Sequence, residues 1–320
     1  MSARWLALSG GVGGAKLVLG LADTLSDPRR LTVVANTGDD FEHLGLTICP
    51  DLDTLMYTLA GVANPETGWG RADETRTFMQ ALARLGGETW FHLGDADLAT
   101  HVERTRRLAA GESLSAIVRA LAARFGIGAE ILPMSDDPVR TVIVGHDREL
   151  AFQHYFVRER CEPVVRAVRF EGAVRAKPSP DLIARLADPD LAGVVIAPSN
   201  PLISIDPILA VPGLRAAIAK AGRPVVAVSP IVGGEALKGP TAKMLRELGA
   251  EVSVVGIARH YRDLVDGLVI DPVDAAQAGA VAALGLAVHV APTVMRTLDD
   301  KRALARAVVG FAITLTRRKD

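Results

Sequence analysis

The sequence predicts an α/β fold of the Rossmann-like, doubly wound kind: a mostly parallel sheet with a helical insertion. Three observations predict it. The chain opens on a strand, a glycine turn, an amphipathic helix and a second strand. The same strand–loop–helix rhythm returns in the last third. Between them lies a long stretch that reads as helical and poor in strands.

Trp5 to Ser9 is a short apolar run, followed by Gly10-Gly11-Val12-Gly13-Gly14-Ala15-Lys16. Leu17, Val18, Leu21 and Leu25 then recur at helical spacing. Leu31 to Ala35 is β-branched and ends at Asn36-Thr37-Gly38, so the opening is a βαβ unit with a right-handed crossover. Asp51 to Leu59 reads as a helix with acids in its first turn, and residues 61–71 as a turn-rich loop. Ala72 to Phe125 is mostly helical. We therefore expect one α/β domain over residues 1–320 with a helical insertion at about 60–130. Arg140 to Gly145 and Ala151 to Val157 read as a hairpin turning at His146-Asp147. Strands follow at Ala192–Ala197, Pro224–Val228, Val252–Val255 and Leu268–Ile270. Helices are expected at Leu214–Ala221, Pro240–Leu248 and Arg259–Leu264.

Composition bounds the partners. Lys plus Arg is 36 and Asp plus Glu is 37, a net charge of -1, so no basic field argues for nucleic acid. The two cysteines, Cys49 and Cys161, make neither a disulfide framework nor a C-x-x-C pair, which fits a reducing cytoplasm. The first apolar run is too short for a signal-peptide core. Gly279 to Met295 is apolar but interrupted by His289 and Pro292, so no membrane segment is expected.

The chemistry concentrates at strand ends. Gly10, Gly11, Gly13 and Gly14 let the backbone approach a phosphate at a helix N-terminus, and Lys16 adds a charge. The spacing matches neither the P-loop nor the dinucleotide fingerprint. The plain alternative is a tight turn needing glycine for packing. Asp39 and Asp40 end the second strand, with Asp51 and Asp53 close behind. Such carboxylates can hold Mg²⁺ or take a proton from a hydroxyl, or else serve as turn and cap residues. Ser199 and Asn200, after a third core strand, suit a phosphate, a ribose or a base edge, or an ordinary Asx turn. Ser229 opens a further polar, glycine-containing turn with Lys238 beyond it, a lysine whose commoner fate is the solvated surface. Trp69, in Gly68-Trp69-Gly70-Arg71, can stack on a planar ring or anchor its loop. Asp97 and His101 have the spacing of a metal pair but read better as a surface helix pair.

The strings GGVGGAK, NTGDD, PDLDTLMYTLAG, GWGR, LGDADLATH, LPMSDD, APSNPLISIDPIL, and SPIVGG with LKG occur in order from about Leu6 to Leu298. In them the chain resembles the 2-phospho-L-lactate transferase family, whose relatives include enzymes working on phosphoenolpyruvate-derived donors. The resemblance implies a step of coenzyme F-420 biosynthesis. A guanosine diphospho donor carries lactate, enolpyruvate or glycerate. The ribityl hydroxyl of the deazaflavin FO attacks the phosphorus next to the small acid, GMP leaves, and Mg²⁺ assists.

On that reading the glycine loop and Lys16 hold the donor phosphates. Asp39, Asp40, Asp51 and Asp53 supply metal ligands, with Asp39 or Asp40 as base. Trp69 meets the deazaflavin. Ser199, Asn200 and Ser229 hold the nucleotide side. Two-fold symmetry is the commonest soluble assembly, so a homodimer is expected. An NAD(P)-linked oxidoreductase is disfavoured because the second strand ends in Asn36-Thr37-Gly38 rather than in the acid that would hold a ribose. A non-catalytic guanine-nucleotide sensor would have no use for the aspartate cluster.

Overall fold

A computed structural model describes residues 3–319, with side chains described through Leu315. In chain order the elements are β1 (Arg4–Ser9), α1 (Gly11–Thr24), β2 (Leu31–Ala35), β3 (Phe41–His43), β4 (Leu46–Ile48), α2 (Pro50–Leu59), α3 (Thr77–Arg84), α4 (Asp95–Ala109), α5 (Leu114–Arg124), β5 (Glu130–Pro133), β6 (Arg140–Val144), β7 (Glu149–Ala151), β8 (Ala167–Glu171), α6 (Pro180–Leu186), β9 (Leu191–Ile196), α7 (Asp206–Ala210), α8 (Leu214–Lys220), β10 (Val225–Val228), β11 (Ile231–Val232), β12 (Glu235–Ala236), α9 (Thr241–Glu247), α10 (Val254–Tyr261), β13 (Gly267–Ile270), α11 (Ala278–Ala282), β14 (Ala287–Val290) and α12 (Leu298–Lys319).

Seven strands form the central sheet in the order β14-β13-β10-β9-β1-β2-β5. Every pairing in it is parallel. The strands are short continuous apolar runs because both faces are covered. Alternate residues feed opposite cores. Leu6 and Leu8 of β1 join Val194 and Ile196 of β9 under α6, α8 and α10. Trp5 and Ala7 join Val33 and Val195 under α1, α2, α5 and α12. This two-sided α/β arrangement is the fold class the sequence predicts. The chain runs outward from β1 through β2 to β5, then returns to β9 on the other side of β1. The order therefore reverses between β1 and β9, and ligands in such sheets bind at the strand ends beside that switch.

Helices α3, α4 and α5 fill the strand-poor stretch between α2 and β5. Two expectations need correction. Val252–Val255 is not a strand: Ser253 caps α10, its hydroxyl accepting from the Gly256 amide at 3.0 Å. A short valine-rich run around a serine fits the start of a capped helix equally well. The hairpin at His146 is present, with β6 and β7 antiparallel and the Gly145 amide donating to the Arg148 carbonyl at 2.9 Å. Its second arm, however, stops at Ala151. Phe152 and Tyr155 both face one core, a helical spacing, and residues 154–158 form a wide helical turn. Among the described residues no single helix is long and apolar enough to cross a membrane.

Candidate active site

The glycine loop leaves β1 at the switch point. Gly10 is extended, and Gly11 has φ +65°, a left-handed backbone that favours glycine. The other two glycines are set by close approach. A Cβ on Gly13 would lie 2.7 Å from the Pro198 carbonyl, and one on Gly14 would lie 2.6 Å from the Ser199 hydroxyl. Ser199 is therefore part of the loop's scaffold. It accepts from the Gly10 amide at 3.1 Å and donates to the Gly10 carbonyl at 2.7 Å. Past Gly11, the first-turn amides of α1 have no acceptor within the helix and carry its positive end.

Three lysines gather beside this helix. Lys16 donates to the Met295 carbonyl at 3.1 Å, and burial, then Lys238 and Lys301, hold its amine below the ordinary lysine value. Lys238 is at the surface, as expected, but it reaches across to the Thr67 carbonyl at 3.1 Å. Gly68 packs against Val12 of α1. The loop bearing Trp69 therefore stands over the start of α1, with the indole 51% exposed.

The four aspartates form two groups. Asp39 and Asp51 share the Asn36 amide, which donates to Asp39 Oδ1 at 3.2 Å and to Asp51 Oδ2 at 2.9 Å. Asp51 Oδ1 accepts from the Gly11 amide at 2.6 Å, tying this pair to the glycine loop. Gln153 donates to Asp39 Oδ2 at 3.3 Å. Burial, then Asp51 and Asp40, push the Asp39 carboxyl well above the usual range. Burial raises Asp51 to about 6 against the pull of Asn36 and Gly11. Asp53 pairs with Arg104, and Asp40 lies within the influence of Arg140 and Arg104. Arg104 binds both oxygens of Asp53, at 3.1 Å to Oδ2 and more closely still to Oδ1. Burial raises Asp40 to about 7, opposed by Arg140, a bond with the Cys49 thiol and Arg104. Its Oδ1 is buried with no partner, as are the hydroxyls of Thr37 and Thr141.

Among the described residues no group of three or more histidines, cysteines or acids is arranged to hold a metal ion. The mutually repelling pair of Asp39 and Asp51 does suit Mg²⁺, which commonly takes one or two carboxylates and completes its shell with water and substrate phosphates. Asp53 is already engaged by Arg104.

The remaining expected site residues serve their own turns. Asn200 accepts from the Leu202 amide at 2.9 Å, an Asx cap. Ser229 accepts from the Ile231 amide at 3.1 Å and donates to the Ile231 carbonyl at 2.9 Å. The pair expected at the surface, Asp97 and His101, is inside: His101 is 2% exposed, and Asp97 accepts from the Tyr57 hydroxyl at 2.6 Å. Sequence reasoning missed Arg104 and Gln153. For Arg104 the signal was present, since Asp97, His101 and Arg104 fall on one helical face. It also missed an aromatic group beside the Asp39–Asp40 turn. There Trp90 meets His43 and His154 edge-on, with centroids 5.1 Å and 4.7 Å away, and Phe41 packs on Phe91.

The chain is similar to proteins named phosphoenolpyruvate transferase. One from Streptomyces griseus is 44% identical over 315 residues, covering 97% of this chain and 98% of that protein. One from Thermobifida fusca is 42% identical over 328 residues, 98% and 99% of the two chains. One from Mycobacterium tuberculosis is 43% identical over 273 residues, 79% and 82%. Two crystal structures of a Bacillus halodurans protein of the UPF0052 family share the fold. They have TM-scores of 0.64 and 0.62 at 13% and 15% identity, and both cover 96% of this chain and 98% or more of their own. The family described as 2-phospho-L-lactate transferase CofD matches residues 6–288, and the chain belongs to that family.

Proposed function

We propose that this protein transfers an enolpyruvyl or lactyl phosphate from a guanosine diphospho donor to the ribityl hydroxyl of FO. One observation carries the reading: the paired carboxylates of Asp39 and Asp51 are hydrogen-bonded, through Asp51, to the glycine loop that starts α1. Phosphoryl-type transfer needs positioning and charge neutralisation more than covalent catalysis. Membership of the transferase family and the names of its close relatives support the coarser statement, transfer of a phosphoenolpyruvate or phospholactate moiety in F-420 biosynthesis.

The donor diphosphate lies against the first turn of α1, with Lys16 and Lys238 at its edge. Asp39 and Asp51 would hold Mg²⁺, which would supply charge neutralisation at the phosphates. The ribityl oxygen forms a bond to the phosphorus bearing the small acid, and the bond from that phosphorus to the GMP oxygen breaks. Asp40 takes the hydroxyl proton. Burial raises its carboxyl to about 7, in the range where a general base is most effective, and its Oδ1 has no protein partner. Trp69 and the group around Trp90 offer aromatic faces to the deazaflavin ring. The test is an assay with FO, Mg²⁺ and each lactyl, enolpyruvyl and glyceryl donor in turn. GMP release with a heavier deazaflavin product is expected from one of them. Folded protein that turns over none of the three overturns the reading.

A further inference from the structure

We infer that Arg104, on the inserted helix α4, is a positioning residue that holds the first turn of α2, and with it Asp51, in register with the Thr37–Asp40 turn. This rests on the transferase reading above. Arg104 is fully buried. Nη1 donates to Asp53 Oδ2 at 3.1 Å and to the Thr47 carbonyl at 3.2 Å, and Nη2 takes Asp53 Oδ1. Asp53 stands two residues beyond Asp51, and its amide closes the first turn of α2 on the Cys49 carbonyl at 2.9 Å. Thr47 belongs to β4, whose partner β3 follows directly on Asp40. One guanidinium thus fixes the chain on both sides of Asp51.

The neighbours of Arg104 are fixed as well. His101 Nδ1 lies 3.3 Å from Nη1 and 3.6 Å from Asp53 Oδ2. His101 Nε2 lies 3.3 Å from Asp97, which the Tyr57 hydroxyl also binds. Thr105 accepts from the Thr47 amide at 2.8 Å. Helix α4 is therefore bolted to α2 and β4 by polar contacts of defined direction. An ion pair buried this deeply adds little net stability, and apolar side chains of similar volume often hold two helices as well. What such a replacement lacks is the directional hold on a carboxylate two residues from Asp51, and a positive charge near Asp40.

The test compares wild type, the double variant Asp53→Leu/Arg104→Met, and Arg104→Lys. Four quantities are read: melting temperature, GDP affinity by calorimetry, kcat and KM with FO, and amide hydrogen exchange at residues 51–53. We expect the double variant to fold and to bind GDP within about threefold of wild type. Its kcat should fall about 30-fold with KM for FO little changed, as a small misplacement of a reacting group produces. Exchange at residues 51–53 should rise while the rest of α2 stays protected. A folded double variant that keeps both kcat and the exchange pattern of wild type overturns the inference.

If the double variant does not fold, Arg104→Lys decides. It keeps the charge and loses the fork, so kcat should drop about tenfold with GDP affinity held. Unchanged kcat in that variant overturns the inference. Wild type that turns over no donor counts against the transferase reading instead, and the exchange comparison still decides whether Arg104 orders the turn.

Discussion

Replacing Gly10 with alanine tests the link between the glycine loop and the carboxylate pair most directly. Gly10 has φ -152° and ψ 154°, an extended conformation any residue adopts, so the backbone itself accepts the methyl group. The side chain does not fit. Its Cβ would lie 2.5 Å from Asp51 Oδ2 and 2.7 Å from Ser204 Cβ, whereas ordinary contact begins at 3.4 Å. Both neighbours are buried, so Asp51 must move by about 1 Å, a displacement that can cost on the order of 100-fold in rate.

Overpacking of this kind costs about 1–3 kcal/mol of stability. For a chain of this size each kcal/mol shifts the melting temperature by about 2 °C. Gly10→Ala should therefore melt about 2–6 °C lower, fold normally by circular dichroism, and release GMP about 100-fold more slowly at saturating donor and FO. Gly310→Ala is the control. It lies in α12 with nothing within 4 Å of an added Cβ, and should be neutral or stabilising by up to about 1 kcal/mol. If Gly10→Ala shows the lower melting temperature but keeps kcat within about threefold of wild type, the placement of Asp51 does not control turnover.

Three further outcomes follow from the same geometry. The folded value of Asp51, about 6, lies above its ordinary 3.8. Its ionisation therefore lowers stability, fully above pH 6 and fading as pH falls toward 4. Asp51→Asn should flatten that slope, so that metal-free protein at pH 8 is about 1–3 kcal/mol more stable in urea titrations while transfer is lost. A variant less stable than wild type at pH 8 would refute the sign. Tyr57→Phe removes the donor to Asp97 and should destabilise by about 1–3 kcal/mol in chemical denaturation; a change too small to measure would mean that solvent replaces the bond. Trp69→Ala, at an exposed loop position, should leave the melting temperature unchanged and raise KM for FO about tenfold. Unchanged KM would assign the ring to the Trp90 group instead.

The sheet was legible where the physics is local. The runs at Trp5–Ser9, Leu31–Ala35 and Ala192–Ala197 are apolar on both faces and stop at glycine, asparagine or proline, so the strands fall within one residue of the expected bounds. Residues 252–255 were not legible, because Ser253 marks the helix start only once its hydroxyl is seen to accept from Gly256. Strand β14 was hidden in an alanine-rich stretch that has no period-two pattern, and α12 went unread. At the site, the aspartates could be named from the sequence but not sorted. Asn36 bridging Asp39 to Asp51, and Arg104 reaching Asp53 from α4, are contacts between segments distant in the chain. Ser199 illustrates the same limit. Its position at a strand end was readable, but its commitment to Gly10 required the loop's shape.

The packing of α12 on α1 bears on how the chain folds. Leu17, Val18 and Leu21 share a core with Leu304, Ala305 and Val308, and the Gly20 backbone lies directly against the Lys301 carbonyl. Helix α1 is therefore completed only by α12, the last helix described. Strand β1 lies inside the sheet and needs the distant β9 as its second neighbour. Sheets assembled from such distant pairings form slowly, with loop-closure entropy opposing each step. Until α12 docks, α1 carries an uncovered apolar face, and a chain in that state is a natural client for holding chaperones. Because the glycine loop leans on Ser199 and α1 on α12, a ligand held at that loop adds stability only once both distant pairings have formed, and its binding reports on docked chains rather than on partly folded ones.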